Sequence, residues 1–309
     1  MAFNVAALPA YTDQLSLDLI SKAVLNTDLL SYVDLRPGFS AGTVSINLVD
    51  TATPIVAAGC GASTYPTAGN NVTYSQVNVT IDSLESKSIL CVEDLRAKYL
   101  SAFMSPGMGN DVIPFEEVIA ESYSKNLRKA NEDYLINGNV STGTTGLRAQ
   151  ITSANGAQLQ GGTPAAWDVN NAIDQALDLY DAIDESVKDM EDLIMVISPV
   201  AYRALTRALV AQGDTGLYHY KSVEGNEILM LPGTNCTIVK SSGLTGFDYK
   251  FAGPASMILA ATGLTDSGDS FRFFYDESND EMKFRAAYRL GVGVSQVNVF
   301  ATNDMGAVV

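Results

Sequence analysis

Pro114 to Gly138 reads PFEEVIAESYSKNLRKANEDYLING, and the rest of the chain is best understood outward from it. Phe115, Val118, Ile119, Tyr123, Leu127, Ala130 and Tyr134 recur at helical spacing and form one apolar stripe. Glu116, Glu117, Glu121, Lys125, Arg128, Lys129 and Asp133 fall on the other side. Pro114 suits a first turn, where its missing N–H costs nothing. Glu116 and Glu117 sit where the helix dipole favours anions. Glu121–Lys125, Arg128–Glu132 and Lys129–Asp133 are i,i+4 pairs. Gly138 can take the left-handed conformation that closes a helix. The pattern predicts one helix of ~35 Å at 1.5 Å per residue. That is long for a core helix and natural for a strut bracing a flat, extended subunit.

Upstream, residues 1–39 read as an arm. It holds a short amphipathic helix over Thr12–Leu30 with Leu15, Leu19 and Ala23 on one side, and it ends at Pro37-Gly38. Residues 40–90 change character. Thr43 to Leu48 alternate, a small-residue stretch rich in turns follows (TATPIVAAGCGASTYPTAGNN), and Val72, Tyr74, Val77, Val79 and Ile81 restore the two-residue period with a slip near Ser75. Two such strands around a weak middle predict a long β-hairpin. A two-stranded projection is marginal alone, so this one needs a partner surface. A short helix is expected over Glu93–Phe103 before the long one.

Downstream, a Gly/Thr loop leads to a strand-like Leu147–Thr152, and residues 153–166 are a Gly/Ala linker. Asp168 is the expected N-cap of a second helix, whose buried side runs from Ala172 through Ile173, Ala176, Leu177, Tyr180 and Ile183 to Val187. LIMVI, Leu193–Ile197, is a continuous apolar run that suits a strand covered on both faces. Ser198-Pro199 opens a third helix with Tyr202, Leu205 and Leu209 inward. Helix, buried strand, helix indicates an α/β layer. Short strands dominate from residue 226, including KFAGPASMILAA, a pair Phe271–Tyr275 and Met282–Leu290 joined by DESNDE, and a last strand running on to Phe300 with close packing at Gly291 and Gly293.

Little in the composition points to chemistry. Hydrophobic residues make up 47% and charged residues only 17%, which fits a surface that is buried against neighbours and equally one rich in Ser, Thr, Asn and Gly. The net charge of −16 argues against tight nucleic-acid binding, which needs a Lys/Arg surface. Cys60, Cys91 and Cys236 lack metal-ligand spacing and read as free thiols. His219 is the one histidine and lies in a polar loop; neither a G-x-S-x-G elbow nor a phosphate-binding glycine motif occurs. The N-terminus has no basic region or long apolar run, so neither a leader nor a membrane span is expected. Asp276, Glu277, Asp280 and Glu281 are the weak metal candidates, since hard cations want several oxygen ligands; they lack the calcium-loop spacing, and a solvated hairpin tip explains them equally. No catalytic or cofactor-binding residue is singled out.

The order of parts resembles the major capsid protein of tailed bacteriophages, the Hong Kong ninety-seven-type fold. Ala130 to Leu147, where ANEDYLINGN is followed by STGTTGL, is similar to the end of that family's spine helix. Met282 to Ala301 resembles its last strands. The resemblance implies an α+β fold with an N-terminal arm (1–39), an extended loop (40–90), a peripheral domain (91–152, spine helix 114–137, with return strands 271–309) and an axial domain (153–270). It implies a structural protein, not an enzyme, forming hexamers and pentamers of an icosahedral virion shell around double-stranded DNA, assembled in the host cytoplasm. Implied partners are a portal, a separate scaffolding protein and decoration proteins, with DNA held without sequence-specific contacts and no membrane. Some members of the family lock their shells with isopeptide bonds from an extended-loop lysine. Ser40–Glu85 holds no lysine, and Lys87 at the hairpin root is expected to face its own subunit. An encapsulin-type compartment shares the implied fold, and an α/β enzyme with an unrecognised site is the remaining alternative.

Overall fold

The computed structural model describes residues 28–38, 42–51, 72–91, 115–139, 144–211, 220–223, 226–246, 249–262, 270–276 and 281–304. The expected helices at Thr12–Leu30 and Glu93–Phe103 lie largely or wholly outside these residues, as do Pro114, Cys60 and His219. In chain order the elements are β1 (Asp34–Pro37), β2 (Gly42–Thr51), β3 (Val72–Cys91), α1 (Phe115–Asn137), β4 (Gly138–Asn139), β5 (Thr144–Thr145), α2 (Leu147–Gln150), β6 (Gln158–Leu159), α3 (Ala172–Asp181), β7 (Leu193–Ile197) and α4 (Pro199–Ala211). There follow β8 (Tyr220–Val223), β9 (Asn226–Leu229), β10 (Thr237–Lys240), β11 (Phe251–Pro254), β12 (Ile258–Thr262), β13 (Ser270–Asp276), β14 (Glu281–Val294) and β15 (Ala301–Thr302).

Two sheets organise the chain. The long one runs β1-β12-β14-β3-β2, with β13 also on β14; the other runs β10-β7-β11-β15-β6. β7 is buried at every position and lies between β10, parallel to it, and β11, antiparallel, as an apolar run of that length requires. α3 and α4 cover this sheet with Ala172, Ala176, Leu179, Ala201, Leu205 and Ala208. The Ser198 hydroxyl accepts from Ala201 N–H at 3.1 Å, the expected N-cap. One continuous apolar core joins both sheets and α1.

β3 changes partner in mid-strand. From Ile81 to Cys91 it pairs with β14, and from Val72 to Ile81 with β2. The hairpin therefore projects nine residues beyond the sheet, ~30 Å at 3.4 Å per residue. Its register is unbroken from Gly42↔Ile81 to Thr51↔Val72, so the expected slip near Ser75 is absent.

α1 is one continuous helix that ends at Gly138, with φ +75°. A Cβ there would stand 2.4 Å from the Thr144 carbonyl oxygen, so glycine is required twice over. Tyr123, Leu127 and Tyr134 face inward as expected, but Ala130 is exposed while Asn131 and Glu132 are buried. Near its C-terminus the helix is enclosed on more than one side, and the buried arc widens past a simple stripe.

Other expectations change too. Leu147–Gln150 is a helical turn, not a strand, because Ile151 N–H bonds back to the Leu147 carbonyl at 2.8 Å. Asp168 caps a turn, accepting from Asn170 and Asn171 N–H, and α3 starts only at Ala172 and stops at Asp181. Ile183 and Val187 are buried beyond its end. KFAGPASMILAA forms two strands in different sheets, separated by the 3-10 turn Ala255–Met257. The last strand stops at Val294, and a 3-10 turn at Val297–Val299 carries the chain back to the second sheet.

Candidate assembly surfaces and the joint behind them

α1 packs on the root of the projecting hairpin, and the apolar contact between them is crossed by directed polar bonds. β3 and β14 alternate, so their even-numbered residues face the helix. Tyr123 donates its hydroxyl to Ser86 Oγ at 2.6 Å and stacks on Phe284 with ring centroids 5.2 Å apart. Tyr288 donates to Asn131 Oδ1. Tyr134 donates to Asp82 Oδ2 at 2.9 Å, and Thr144 Oγ1–H bonds the same oxygen. Burial raises the phenol pKa of Tyr134 and Tyr288, so both stay protonated donors. Two of the three tyrosines bond residues on β3: Asp82, next to the hairpin root at Ile81, and Ser86, four residues further into the sheet.

A second node sits on the other side of α1. The Glu132 carboxylate is 2% exposed and holds three donors. One oxygen accepts from Asp28 N–H at 2.7 Å; the other accepts from Ser242 N–H at 2.7 Å and from the Ser242 hydroxyl. Asp28 belongs to the incoming arm and Ser242 to the loop after β10, so one carboxylate ties the arm, the helix and the second sheet together. Gly243 allows the approach, since a Cβ there would lie 2.5 Å from the Glu132 carbonyl oxygen. Asn137 Nδ2–H donates to the Gly243 carbonyl at 2.9 Å. The expected Arg128–Glu132 pair is replaced by Arg128–Asp28 at 3.4 Å. Burial, and then the neighbouring Glu132 charge, raise the Asp28 pKa; Arg128 and Lys240 oppose this. Sequence reasoning missed Glu132 because its partners lie 104 and 110 residues away.

The metal candidates are only partly within view. Asp276 stands opposite Glu281 in register, and Glu281 pairs with Lys283 at 3.6 Å. Glu277 and Asp280 lie outside the described residues. Among the described residues no group of three or more His, Cys, Asp or Glu side chains is arranged to hold a metal ion. The acidic run after α3 is answered internally at several points: Asp184 caps Ser186, Lys188 bonds Glu185 at 2.7 Å, and Asp192 accepts from Ser256 N–H at 2.9 Å. Cys236 is buried, and burial pushes its thiol up to about 12, which makes it inert.

Lys87 does not face its own subunit. It lies on the side of the long sheet away from α1, with its side chain 65% exposed and paired to Glu85 at 2.9 Å. The slip is one of parity: Lys87 pairs in register with Arg285, and odd-numbered residues of both strands point outward.

No protein-family model matches the chain, and no curated protein matches it in sequence. Solved structures do match in fold. The capsid of the native GTA particle aligns with a TM-score of 0.56 and 17% identity, over 91% of this chain and 96% of that one. The holo-SrpI encapsulin complex of Synechococcus elongatus aligns with a TM-score of 0.54 and 11% identity, over 100% and 98%. The capsid of the Myoviridae phage XM1 aligns with a TM-score of 0.51 and 12% identity, over 90% of each. The chain thus has the α+β fold of these capsid-shell subunits across most of its length.

Proposed function

We propose that this chain is the major subunit of a bacteriophage capsid, which self-assembles into hexamers and pentamers of an icosahedral shell around double-stranded DNA. The observation that carries the reading is the β2–β3 hairpin, which leaves the sheet at Ile81 and has no third strand among the described residues beyond that point. A hairpin of that length is marginal in water, and a neighbouring copy supplies the missing surface. The shell structures that share the fold over nine-tenths of the chain support the same conclusion. The role is structural, not catalytic. The net charge of −16 suits a lining that does not grip DNA, so DNA is enclosed without sequence-specific contacts. A portal, a separate scaffolding protein and decoration proteins are its further partners, in a virion assembled in the host cytoplasm.

Within the subunit we divide the chain as arm 1–39, extended loop 40–90, peripheral domain 91–152 with 271–309, and axial domain 153–270. Two short strands are exchanged: β12 pairs in the long sheet and β15 in the second sheet. Electron microscopy of the purified protein tests the assembly, with closed shells expected and a stable monomer at high concentration counting against it. The encapsulin alternative is favoured by the alignment that covers the whole chain. Nuclease-protected DNA in purified particles supports the capsid, and a protein cargo without DNA supports the compartment.

A further inference from the structure

The outward face of the long sheet carries more cations than carboxylates among its described residues. Arg285 and Lys87 stand side by side in cross-strand register. Like charges directly opposite one another destabilise a sheet. Glu85 bonds both Lys87 and Arg285; these bonds, Lys87's first, hold the Glu85 carboxyl below its ordinary pKa. The next row holds Lys283 beside Ile89, which is 61% exposed. Arg289 extends the same face. Lys87, Lys283, Arg285 and Arg289, four of the 19 basic residues of an acidic chain, are thus gathered on one sheet face with two carboxylates, Glu85 and Glu281. Lys87 and Arg285 have side chains 65% and 51% exposed.

The opposite chemistry stands elsewhere on the same chain. Asp181, Glu185, Asp189 and Glu191 are exposed on the turn after α3, where Lys188 is the one cation in the run and is already engaged by Glu185. Two complementary patches at different places on one subunit make a heterologous contact, the kind that builds rings. Interleaved carboxylates and an exposed isoleucine suit a polypeptide better than a phosphate backbone, which gains from neither.

Resting on the shell reading above, we propose that the basic outward face of the long sheet, centred on Arg285, Lys87 and Ile89, receives the acidic turn Asp181–Glu191 of a second copy of this chain. The contact steers subunits together and fixes their register more than it adds raw affinity.

The test is charge exchange, read by sedimentation and light scattering across protein concentration. Wild-type protein is run alongside; if it forms no shells, the shell reading falls and takes this contact with it. If it does form shells, Lys87→Glu with Arg285→Glu is expected to raise the concentration needed for assembly about tenfold or more, because like charges across an interface are costly, while the unfolding midpoint of the subunit holds. Adding Asp189→Lys and Glu191→Lys to the same chain is expected to bring assembly back to within about threefold of wild type. Assembly of the first variant at the wild-type concentration overturns the proposal, and so does failure of the four-fold exchange to rescue. Normal shells that lose only their DNA overturn it too, and give the face to nucleic acid. Should the reversal unfold the subunit, Lys87→Gln/Arg285→Gln and Asp189→Asn/Glu191→Asn form a double-mutant cycle, in which coupling supports the contact and simple additivity overturns it.

Discussion

Replacing Glu132 with alanine should loosen three parts of the subunit at once. The carboxylate accepts from Asp28 N–H and Ser242 N–H, both at 2.7 Å, and from the Ser242 hydroxyl. A hydrogen bond to a charged acceptor contributes about 1.5–3 kcal/mol net, and a buried donor left without a partner costs about 1–3 kcal/mol. Asp28 and Ser242 lie at partly buried positions, so water reaches the vacated donors and the lower ends of these ranges apply. The hydroxyl can rotate to another acceptor and adds little. Three effects offset the loss. Alanine favours the helix by a few tenths of a kcal/mol, the cost of burying the carboxylate disappears, and Asp28 is freed from a neighbouring charge that raises its pKa. The expected net loss is about 2–3 kcal/mol, a large share of the ~5–15 kcal/mol that holds a typical domain. Glu132→Gln keeps one acceptor but turns an NH2 toward the other donors, so about half of that loss is expected. Urea unfolding of the unassembled subunit gives the energy, and amide exchange gives the place: Asp28 and Ser242 should lose protection together while β7 and β14 keep theirs. A loss under about 1 kcal/mol, or release of only one of the two amides, would refute the idea of a three-way joint.

Three further outcomes follow from particular contacts. Gly253→Ala puts a Cβ 2.4 Å from Cδ1 of Phe300; displacing that buried ring should cost about 1–3 kcal/mol in thermal unfolding, and an unchanged midpoint would show that Phe300 moves freely. Asp28→Asn removes a carboxyl whose folded pKa lies above its ordinary 3.8, so the folded wild type holds the proton more tightly and loses stability as pH rises through that window. The variant should match wild type below pH 3.8 and gain up to about 1 kcal/mol above the folded value, discounted for exposure and for the lost Arg128 pair; a gain that appears only at low pH would reverse the sign and sink the argument. Boiled, reduced particles should run as one band near the 32.9 kDa of the chain, since the extended loop carries no lysine from Ser40 to Glu85 and Lys87 is engaged by Glu85; a ladder of multimers resistant to boiling would point to Lys87 as a covalent linker.

Where a local period is long enough, the chain announces its structure. α1 shows a 3.6-residue stripe over more than six turns and a glycine stop. β7 is an uninterrupted apolar run between two amphipathic helices, and β2 and β3 alternate on either side of a turn-rich middle. Leu147–Gln150 has no such signal, because one helical turn is too short to show a period. Pro254–Met257 is apolar on both sides, so nothing in KFAGPASMILAA marks where it leaves one sheet for the other. Glu132 is the deeper case. An acidic residue four positions after Arg128 reads as half of a surface pair, and only the arrival of Asp28 and Ser242 makes it an interior one. Lys87 was misplaced by the assumption that the root of a projection faces the body. The unbroken count along β3 would have placed it outward with Glu85 and Ile89.

The polar seam under α1 has a mechanical reading that an apolar one would not supply. Apolar faces are non-directional and leave a helix free to slide or roll by a fraction of a turn, whereas hydrogen bonds restrict both distance and angle. Tyr134 and Thr144 converge on Asp82, and Tyr123 reaches Ser86; both acceptors are on the part of β3 held in the sheet, with Asp82 next to Ile81, where the hairpin leaves it. An angular error there is amplified along the projection: about 5° at the root displaces a tip ~30 Å away by roughly 2.6 Å, enough to miss a packed partner. Meanwhile Gly291 and Gly293 let β3 press closer still, since a Cβ on either would stand 2.4 Å from Thr80 O or Val79 Cγ2. The chain therefore concentrates directed bonds and close backbone contact at the one place where a small rotation would be magnified. Beyond that point β2 and β3 pair only with each other among the described residues.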